Sequence, residues 1–500
     1  MATSNKLQDR LRETAVVGLG TAGATVINLV KVKVIAILVG VEGAGLISQL
    51  SSILSTVSGT VTFGTGQSGI QRIAVASTNS VDGGRVSLVF RTLQFLAIAM
   101  GLVGAIVVIV FSRPLAAWAL GDADQYLLVA FLAPGIFIAT CTAPLNCLIE
   151  GLQRMSLVSR ASVFRSLFGL MAAVLALGLA GVGGVLSYVL LSALAAFVVA
   201  KWLARDCMPK RFEVNVSEVK HESKKVLGLG GAIAVSGLIL SWSQFAERGI
   251  LVGSVGVDAI GLIACSTALC DLVANLIWAS SGTSFFPRVS QLRGDDQAIR
   301  AALSTQVELL CLLLLPVTIL LVLLGDILIF TVYSRDFEAA QGVLRFQAIG
   351  LIGYCIHTPM RILIGGLELR RALLFLSLAS VLTRLGSVLV LVPIYGVEGY
   401  GMSVAISSLA AAAMYLFYAK MSGVAGIRPS LVGILGVSAL ILSILVLAQA
   451  SFAILVPAQI RYIVACTTVF VAISIGWKRF NIHWSDVRSI LNRLVRGRRV

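Results

Sequence analysis

The sequence predicts an all-α polytopic membrane protein with about 14 transmembrane helices, arranged as two pseudo-two-fold-related six-helix bundles plus a C-terminal helix pair. Three observations support this fold: an apolar composition, a series of long apolar segments, and four glycine-rich turns at constant spacing. Hydrophobic residues make up 58% of the 500 residues and charged residues only 12%, and the mean hydropathy is +0.97. So few charges cannot cover a water-facing surface, which indicates a protein embedded in a bilayer.

Long apolar segments recur along the chain, and each is long enough to cross about 30 Å of hydrocarbon as an α-helix. They lie at roughly 14–39, 45–66, 88–111, 126–149, 158–180, 183–204, 226–249, 257–281, 303–325, 340–364, 372–393, 399–419, 429–450 and 458–477. The first follows a polar, basic start and ends without a small-residue cleavage pattern. We therefore expect a retained helix rather than a signal peptide.

Four glycine-rich turns indicate that the two halves of the chain are duplicated. They begin at Gly40, Gly181, Gly256 and Gly396. The first and third are 216 residues apart, and the second and fourth are 215 apart. The same offsets pair Arg72 with Arg288, and Pro144 with Pro359. A constant offset in one direction predicts two halves with the same topology, as in duplicated transporters.

The duplication and the charge distribution define the domains that we expect. These are an N-terminal six-helix bundle at 1–206, a cytoplasmic linker at 207–225, a second six-helix bundle at 226–422, an additional helix pair at 423–480 and a basic amphipathic cytoplasmic tail at 481–500. Lys and Arg concentrate on one side of the predicted helices, so both termini are predicted to be cytoplasmic. The net charge of +16 reflects this bias and the arginine-rich tail, which suits an anionic membrane surface rather than nucleic acid.

Metal, disulfide and catalytic chemistry are not expected. The 8 cysteines and 3 histidines are scattered, with no C-x-x-C pair and no histidines at ligand spacing. We therefore predict no metal, no catalytic residue and no cofactor, with H⁺ or Na⁺ as candidate coupling ions.

Charged residues inside predicted helices are the candidate functional residues, because an ionised side chain at mid-bilayer costs about 2.5–3.5 kcal/mol on insertion scales. The candidates are Lys31, Lys33, Glu247, Arg248, Asp271, Glu308, Arg345 and Arg384. Lys33 precedes the Gly40 turn by seven residues and Arg248 precedes the Gly256 turn by eight, so both lie about 10–12 Å inside the outer helix end. If the halves face each other, these cations line one cavity suited to a phosphate or pyrophosphate. Snorkelling towards the outer surface is the alternative.

Polar neighbours extend this candidate pyrophosphate site. Gln244 lies one turn before Arg248 on the same helix face, and Asn28 belongs to a polar stripe on the first helix. Lys31 and Lys33 lie about 80° and 120° from that stripe, so helix geometry does not choose between the two lysines.

Two acids and two prolines are candidates for moving parts. Asp271 and Glu247 could exchange protons or hold Na⁺ during a transport cycle, with an ion pair between Glu247 and Arg248 as the alternative. Pro144 and Pro359 fall late in related helices, where a proline removes a backbone hydrogen bond and permits bending.

Several motifs, taken in order, resemble one family. They are the run from Lys33 through Gly40, Gly43 and Gly45, the Arg72 loop, the turn Phe286-Pro287-Arg288-Val289-Ser290, the stretch Ser334-Arg335-Asp336-Phe337, and the turn Gly396-Val397-Glu398-Gly399. Over about residues 10–420 the chain resembles the O-antigen and related oligosaccharide flippases, the Wzx type, of the MOP exporter superfamily. The added helix pair departs from the twelve helices of many such flippases, although fourteen occur in lipid II flippases of the same superfamily.

This resemblance implies a function and a site. Members translocate sugars linked to undecaprenyl pyrophosphate across the bacterial inner membrane by alternating access, with a cationic cavity that receives the pyrophosphate. Lys33 and Arg248 match intramembrane basic positions of the family. The implied partners are the polyprenyl-pyrophosphate-linked oligosaccharide, the lipid bilayer and polysaccharide polymerase or chain-length machinery. Arg72 and Arg288, at matching inner loops, are candidate gate contacts in such a cycle.

Two other functions stay open. A multidrug exporter of the same superfamily would share the duplicated halves, but its cavity would favour acids and aromatics over cations. A membrane-integral polysaccharide polymerase or ligase would carry a large outer loop with catalytic residues. The buried cations favour an anionic cargo, so a flippase for lipid-linked oligosaccharide is the expected function.

Overall fold

The structure, a computed structural model, describes residues 2–62, 65–79, 84–209, 216–280, 285, 295–367 and 369–422. The predicted helix pair at 423–480, the basic tail at 481–500 and Arg288 lie outside the described residues. The helices are Ala2–Thr62 (α1), Thr65–Asn79 (α2), Gly84–Val110 (α3), Ser112–Leu120 (α4), Tyr126–Ala130 (α5), Ala133–Gly151 (α6), Met155–Ala180 (α7), Val185–Ala204 (α8), Val216–Ser280 (α9), Asp296–Val332 (α10), Ala340–Gly366 (α11) and Arg370–Met421 (α12).

Eight helical stretches of the described residues are long and apolar enough to cross a membrane, by length and composition. Four of them contain two predicted segments each, as in Gly23–Thr62 and Arg371–Met421. Together they account for the twelve segments that were predicted before residue 422. The prediction of an all-α, multi-pass membrane protein is thereby confirmed.

All four predicted glycine turns interrupt or end a helix. Gly40, Gly256 and Gly396 bend α1, α9 and α12, with φ of 60°, 82° and 59°. Gly181 ends α7 with φ of 54°. L side chains rarely adopt such φ values, whereas glycine does so readily. The same backbone device therefore recurs at offsets of 216 and 215, which supports the duplication.

The first and third turns also pack directly on each other. A Cβ on Gly45 would overlap the main chain of Val257 and Gly261, and a Cβ on Gly261 would overlap the carbonyl of Val41. Gly45 and Gly261 are themselves 216 residues apart, so equivalent glycines of the repeat meet backbone to backbone. Only glycine permits so close an approach.

Replacing Gly256 with alanine is expected to lower thermal stability. No heavy atom lies within 4 Å of a Cβ built there, so the cost comes from the backbone (φ 82°, ψ 171°), a region essentially limited to glycine. Such strain costs about 1–3 kcal/mol. Gly253→Ala is the matched control, since its surroundings are equally open and alanine favours a helix by about 0.5–1 kcal/mol. Unfolding midpoints in detergent compare the two variants, and equal midpoints would contradict the strained turn.

Contacts divide the chain into two compact units, with the division after Gly261. The first unit contains two separate apolar clusters. The turn-end cluster, near the Gly40 and Gly181 turns, includes Ile35, Leu50, Leu132, Leu177 and Phe245. The far-end cluster includes Ile73, Phe90, Leu148, Val199 and Val226. Because α9 contributes Phe245 and Val226, the arm of α9 before Gly256 packs into this unit.

In the second unit α11 is buried along most of its length and packs against α10 and α12. Close contact with α12 depends on small residues. Ser408 Oγ donates a hydrogen bond to the carbonyl of Gly350 at 2.7 Å, and a Cβ on Gly353 would press on the main chain of Ser408. Small residues allow membrane helices to approach in this way.

Some local structure differs from the prediction. Residues 65–79, expected mainly as an inner loop, form α2, because Ile73 and Ala76 lie three residues apart and face the far-end cluster. The segment predicted at 126–149 is divided into α5 and α6, since Pro134 in the first turn of α6 favours a new helix start. Both differences arise where polar residues or a proline interrupt the apolar run.

Candidate functional site

Arg248 joins α9 to α1 within the first unit. Its Nη1 donates hydrogen bonds to the main-chain oxygen and to the Oγ of Ser48, each at 2.8 Å. Arg248 is half-buried, and Ser48 lies in the arm of α1 that follows Gly40. Hydrogen bonds from an ionised donor are about twice as strong as neutral ones. The guanidinium is therefore held between two helices, eight residues before the Gly256 turn.

Further contacts fix the same arm of α9. Trp242 Nε1 donates to Thr60 Oγ1 at 3.1 Å. The indole of Trp118 lies against Gly249, so closely that a Cβ there would overlap the ring. These contacts flank Arg248 on both sides along the helix, which makes its position well defined.

The polar neighbours of Arg248 on α9 have different surroundings. Gln244 is exposed, whereas Glu247 is buried with 5% of its surface accessible. Successive residues of a helix point about 100° apart. Glu247 and Arg248 therefore project towards different parts of the first unit.

The two candidate lysines lie on different sides of α1. The Lys31 side chain runs along Gly169 of α7, with its Cδ and Nζ 3.6 and 3.8 Å from the position that a Cβ would occupy. Lys33 is two residues further on and thus rotated by about 200°. Both lysines and Asn28 are half-buried. The structure thus directs Lys31, and not Lys33, towards α7 inside the first unit.

A polar group that the sequence reasoning missed lies on α6 and α7. Arg165 Nη2 donates to Asn146 Oδ1 at 2.8 Å, and Arg165 interacts electrostatically with Glu150. All three are half-buried. No spacing rule pairs residues across different helices. The available signal was the charge of Arg165 inside an apolar segment.

The remaining candidate charges belong to the second unit. Arg384 Nη2 donates to the Tyr400 hydroxyl at 3.0 Å, and its guanidinium lies 5.1 Å from the centre of the same ring. Asp271 is exposed, while Glu308 and Arg345 are half-buried. Both contacts of Arg384 are made within α12, across the Gly396 bend.

His357, which the sequence reasoning regarded as isolated, has aromatic partners in the second unit. Its ring centre lies 4.8 Å from that of Tyr354 on α11 and 6.4 Å from that of Tyr415 on α12. Arg361, one turn further along α11, interacts electrostatically with His357 and Tyr415. Because Tyr415 comes from another helix, the sequence alone gave no sign of this group.

The hinge and gate candidates are placed as follows. Pro144 lies inside α6 and Pro359 inside α11, and both are buried. Arg72 on α2 forms an ion pair with Glu222, near the start of α9. The Glu222 side chain is 8% exposed and that of Arg72 is 22% exposed. Glu222 is a partner that the sequence reasoning did not identify.

Comparison with known families gives the wider assignment. A family model described as polysaccharide biosynthesis protein matches residues 34–341, more than half of the chain. The chain belongs to this polysaccharide biosynthesis protein family. Arg248 and Arg165 lie within the matched range, and Lys31 and Lys33 lie just before it. No curated protein sequence matches the chain.

Solved structures identify the fold of this family member. One is the lipid II flippase MurJ in an inward closed conformation, with a TM-score of 0.70 and 12% identity over 94% of this chain and 100% of that chain. Another is an inward-facing multidrug resistance MATE family transporter of the MOP superfamily, with a TM-score of 0.61 and 16% identity over 80% and 94%. The polysaccharide biosynthesis protein therefore has the fold of MOP superfamily transporters.

A third similar structure differs in its pocket. It is a MOP superfamily transporter from Pyrococcus furiosus described by the reverse polarity of its binding pocket, with a TM-score of 0.53 and 16% identity over 82% of this chain and 94% of that chain. One fold thus accommodates pockets of different charge. The cargo of this family member has to be argued from its own charged residues.

Proposed function

We propose that this protein is a flippase that translocates an undecaprenyl-pyrophosphate-linked oligosaccharide from the cytoplasmic to the outer leaflet by alternating access. The observation that carries the proposal is the half-buried Arg248, whose guanidinium donates two hydrogen bonds to Ser48 between membrane-crossing helices. A cation inside the bilayer is costly and is retained for a function. Membership of the polysaccharide biosynthesis family supports a carbohydrate-linked cargo.

In this mechanism Arg248 and one of the two α1 lysines, Lys31 or Lys33, receive the diphosphate, with Gln244 and Asn28 as polar neighbours, while the polyprenyl tail stays in lipid. Guanidinium and ammonium groups suit phosphate oxygens because each N–H···O⁻ bond is charge-assisted.

The conformational cycle uses the other candidates. Bending near Pro144 and Pro359 closes the inner side, with Arg72 and Arg288 as gate contacts. Exchange of H⁺ or Na⁺ at Asp271 or Glu247 resets the transporter.

The same proposal sets the cellular context. The protein lies in the bacterial inner membrane with both termini in the cytoplasm, as the positive-inside distribution of Lys and Arg indicates. It acts beside polysaccharide polymerase and chain-length machinery, which use the cargo after it has crossed.

Transport in proteoliposomes tests the proposal. A fluorescent undecaprenyl-pyrophosphate oligosaccharide is incorporated, and the fraction accessible to a membrane-impermeant quencher is followed with time. We expect quenching to reach the inner-leaflet pool only in vesicles that contain the protein, and not in protein-free vesicles or with heat-denatured protein. Absence of flipping by folded protein would contradict the proposed cargo.

A multidrug exporter is the second candidate function, favoured by the fold shared with MATE transporters. It predicts that a lipophilic cationic dye is expelled from vesicles against a proton or sodium gradient. The flippase proposal predicts no such efflux, because Lys31, Lys33 and Arg248 repel a cationic cargo. The two assays in the same vesicles therefore separate the candidates.

A further inference from the structure

We propose that the start of α7 and the end of α8 form a binding site for an anionic phospholipid, which lies in the cytoplasmic leaflet in the proposed orientation. The headgroup phosphate lies between Arg160 and Arg205, and the acyl chains follow the exposed apolar faces of the two helices. The site goes beyond the proposed function, because its occupant is a bilayer phospholipid and not the cargo. All of its residues belong to the first unit.

An aromatic pair joins the two helices at this site. The rings of Phe164 on α7 and Trp202 on α8 meet edge to face, with their centres 5.3 Å apart. The nearby residues Ala161 and Leu203 belong to the far-end cluster, so the pair lies at the end of the unit opposite the glycine turns. Trp202 is 56% exposed. Because exposed tryptophan is enriched where hydrocarbon meets the lipid headgroups, the pair marks that boundary.

Towards the membrane interior, each helix presents an exposed apolar face. This face contains Phe168 and Met171 on α7, and Leu194 and Val198 on α8. Residues three or four apart share one face of a helix, so both faces continue directly from the aromatic pair. Exposed apolar side chains on membrane-crossing helices contact the acyl chains of lipids.

On the other side of the aromatic pair, both faces become cationic. The helices α7 and α8 are consecutive, pack together and are joined by the short Gly181 turn, so they run antiparallel. Arg160 precedes Phe164 by four residues, and Arg205 follows Trp202 by three. The two arginines therefore lie at about the same level, about 4.5–6 Å beyond the rings along the helix axes. Both are exposed.

Protein groups do not balance the charge of this patch. Exposed Lys201 adds a third cation at the end of α8, with its Nζ 5.9 Å from the centre of the Phe197 ring. Within the described part of the chain, Arg160, Lys201 and Arg205 take part in no ion pair. Asp206 contributes a carboxylate, which leaves cations in excess. An anionic headgroup complements this excess.

The order of cationic, aromatic and apolar groups matches a phospholipid better than other anions. The planar guanidinium fork of arginine suits phosphate oxygens, and the apolar faces suit the attached chains. A soluble anion would use the cations alone, and an acidic protein segment would leave the apolar faces uncovered. The exposed position also separates these cations from the half-buried Lys31 and Arg248 inside the unit.

Lipid binding to the purified, full-length protein tests the site. Phosphatidylglycerol and phosphatidylcholine with identical acyl chains are titrated separately and counted by native mass spectrometry. We expect the wild type to bind the first phosphatidylglycerol about tenfold more tightly, and the double variant Arg160→Gln/Arg205→Gln to lose most of this preference. Arg85→Gln is the matched control and should keep the preference. Arg85 is exposed in the first turn of α3, beside Val86 of the far-end cluster.

A photoactivatable phosphatidylglycerol analogue in phosphatidylcholine nanodiscs locates the bound lipid. We expect cross-links within residues 155–171 and 191–208, and fewer of them in the double variant. Trp202→Leu covers the case in which the double variant fails to fold, because it keeps both arginines but removes the aromatic ring. We expect it to reduce the same cross-links. Equal wild-type affinity for the two lipids, or preference and cross-links that persist in the folded variants, would overturn the site.

These assays contain no lipid-linked oligosaccharide, so their result does not depend on the proposed function. Protein that binds phosphatidylglycerol at this site but flips no oligosaccharide would contradict the proposed function alone. Protein that flips the oligosaccharide but binds both phospholipids equally would contradict the lipid site alone.

Discussion

Replacing Arg248 with alanine is expected to reduce flipping of the lipid-linked oligosaccharide by about tenfold to a hundredfold. The change removes an intramembrane cation together with its two 2.8 Å hydrogen bonds to Ser48. A hydrogen bond that involves a charged group contributes about 1.5–3 kcal/mol, and 1.4 kcal/mol corresponds to a factor of ten. Initial rates in proteoliposomes, normalised to the amount of folded protein, measure the effect.

Two control variants separate cargo binding from helix packing. Arg248→Lys keeps the charge but loses the guanidinium fork, so it should retain more transport than Arg248→Ala. Ser48→Ala removes only the Oγ acceptor and leaves the carbonyl, so it should have a small effect. If Arg248→Ala and Arg248→Lys unfold at the wild-type midpoint and also transport like the wild type, Arg248 is not part of the cargo site.

The fold could be predicted well because its main determinants are local. A segment of about 20 apolar residues predicts a membrane-crossing helix whatever its neighbours are. Glycine at a positive φ is a property of the backbone, so Gly40, Gly181, Gly256 and Gly396 could be identified from spacing before their conformations were known. Proline and amphipathic sequence interrupted this simple pattern at α2 and at the start of α6.

The candidate site was less predictable because it depends on contacts between helices. Depth could be estimated from the distance to a glycine turn, as for Lys33 and Arg248. The direction in which a side chain points from the helix axis, relative to the neighbouring helices, could not be estimated in this way. Lys31 and Lys33 could therefore not be distinguished until the structure placed Gly169 of α7 beside Lys31. Arg165 was overlooked for the same reason, since its partner Asn146 comes from α6.

Reversing the charge of Arg72 is expected to destabilise the protein strongly. Arg72→Glu would place two carboxylates together, one of them on the largely buried Glu222 side chain. Exposed ion pairs contribute about 0.2–1 kcal/mol, whereas removing one partner of a buried pair costs about 3–5 kcal/mol. The Glu222 side chain is 8% exposed and that of Arg72 is 22% exposed, so the pair is buried only in part. We therefore expect the free energy of unfolding to fall by about 2–4 kcal/mol, less than for a fully buried pair, because solvent and salt screen the charge at residue 72. Unfolding midpoints in detergent measure the loss.

The exchanged pair distinguishes a gate contact from a simple structural contact. Arg72→Glu combined with Glu222→Arg restores opposite charges, so a double-mutant cycle should recover most of the lost stability. If the ion pair itself closes the inner side, the exchanged protein should recover transport as well, because the two side chains attract each other whichever of them carries the positive charge. If the exchanged protein regains stability but not transport, the positive charge that Arg72 has in the wild type is needed for a contact with the cargo or with another segment during the cycle. Single reversals with wild-type stability and transport would exclude the pair as a gate.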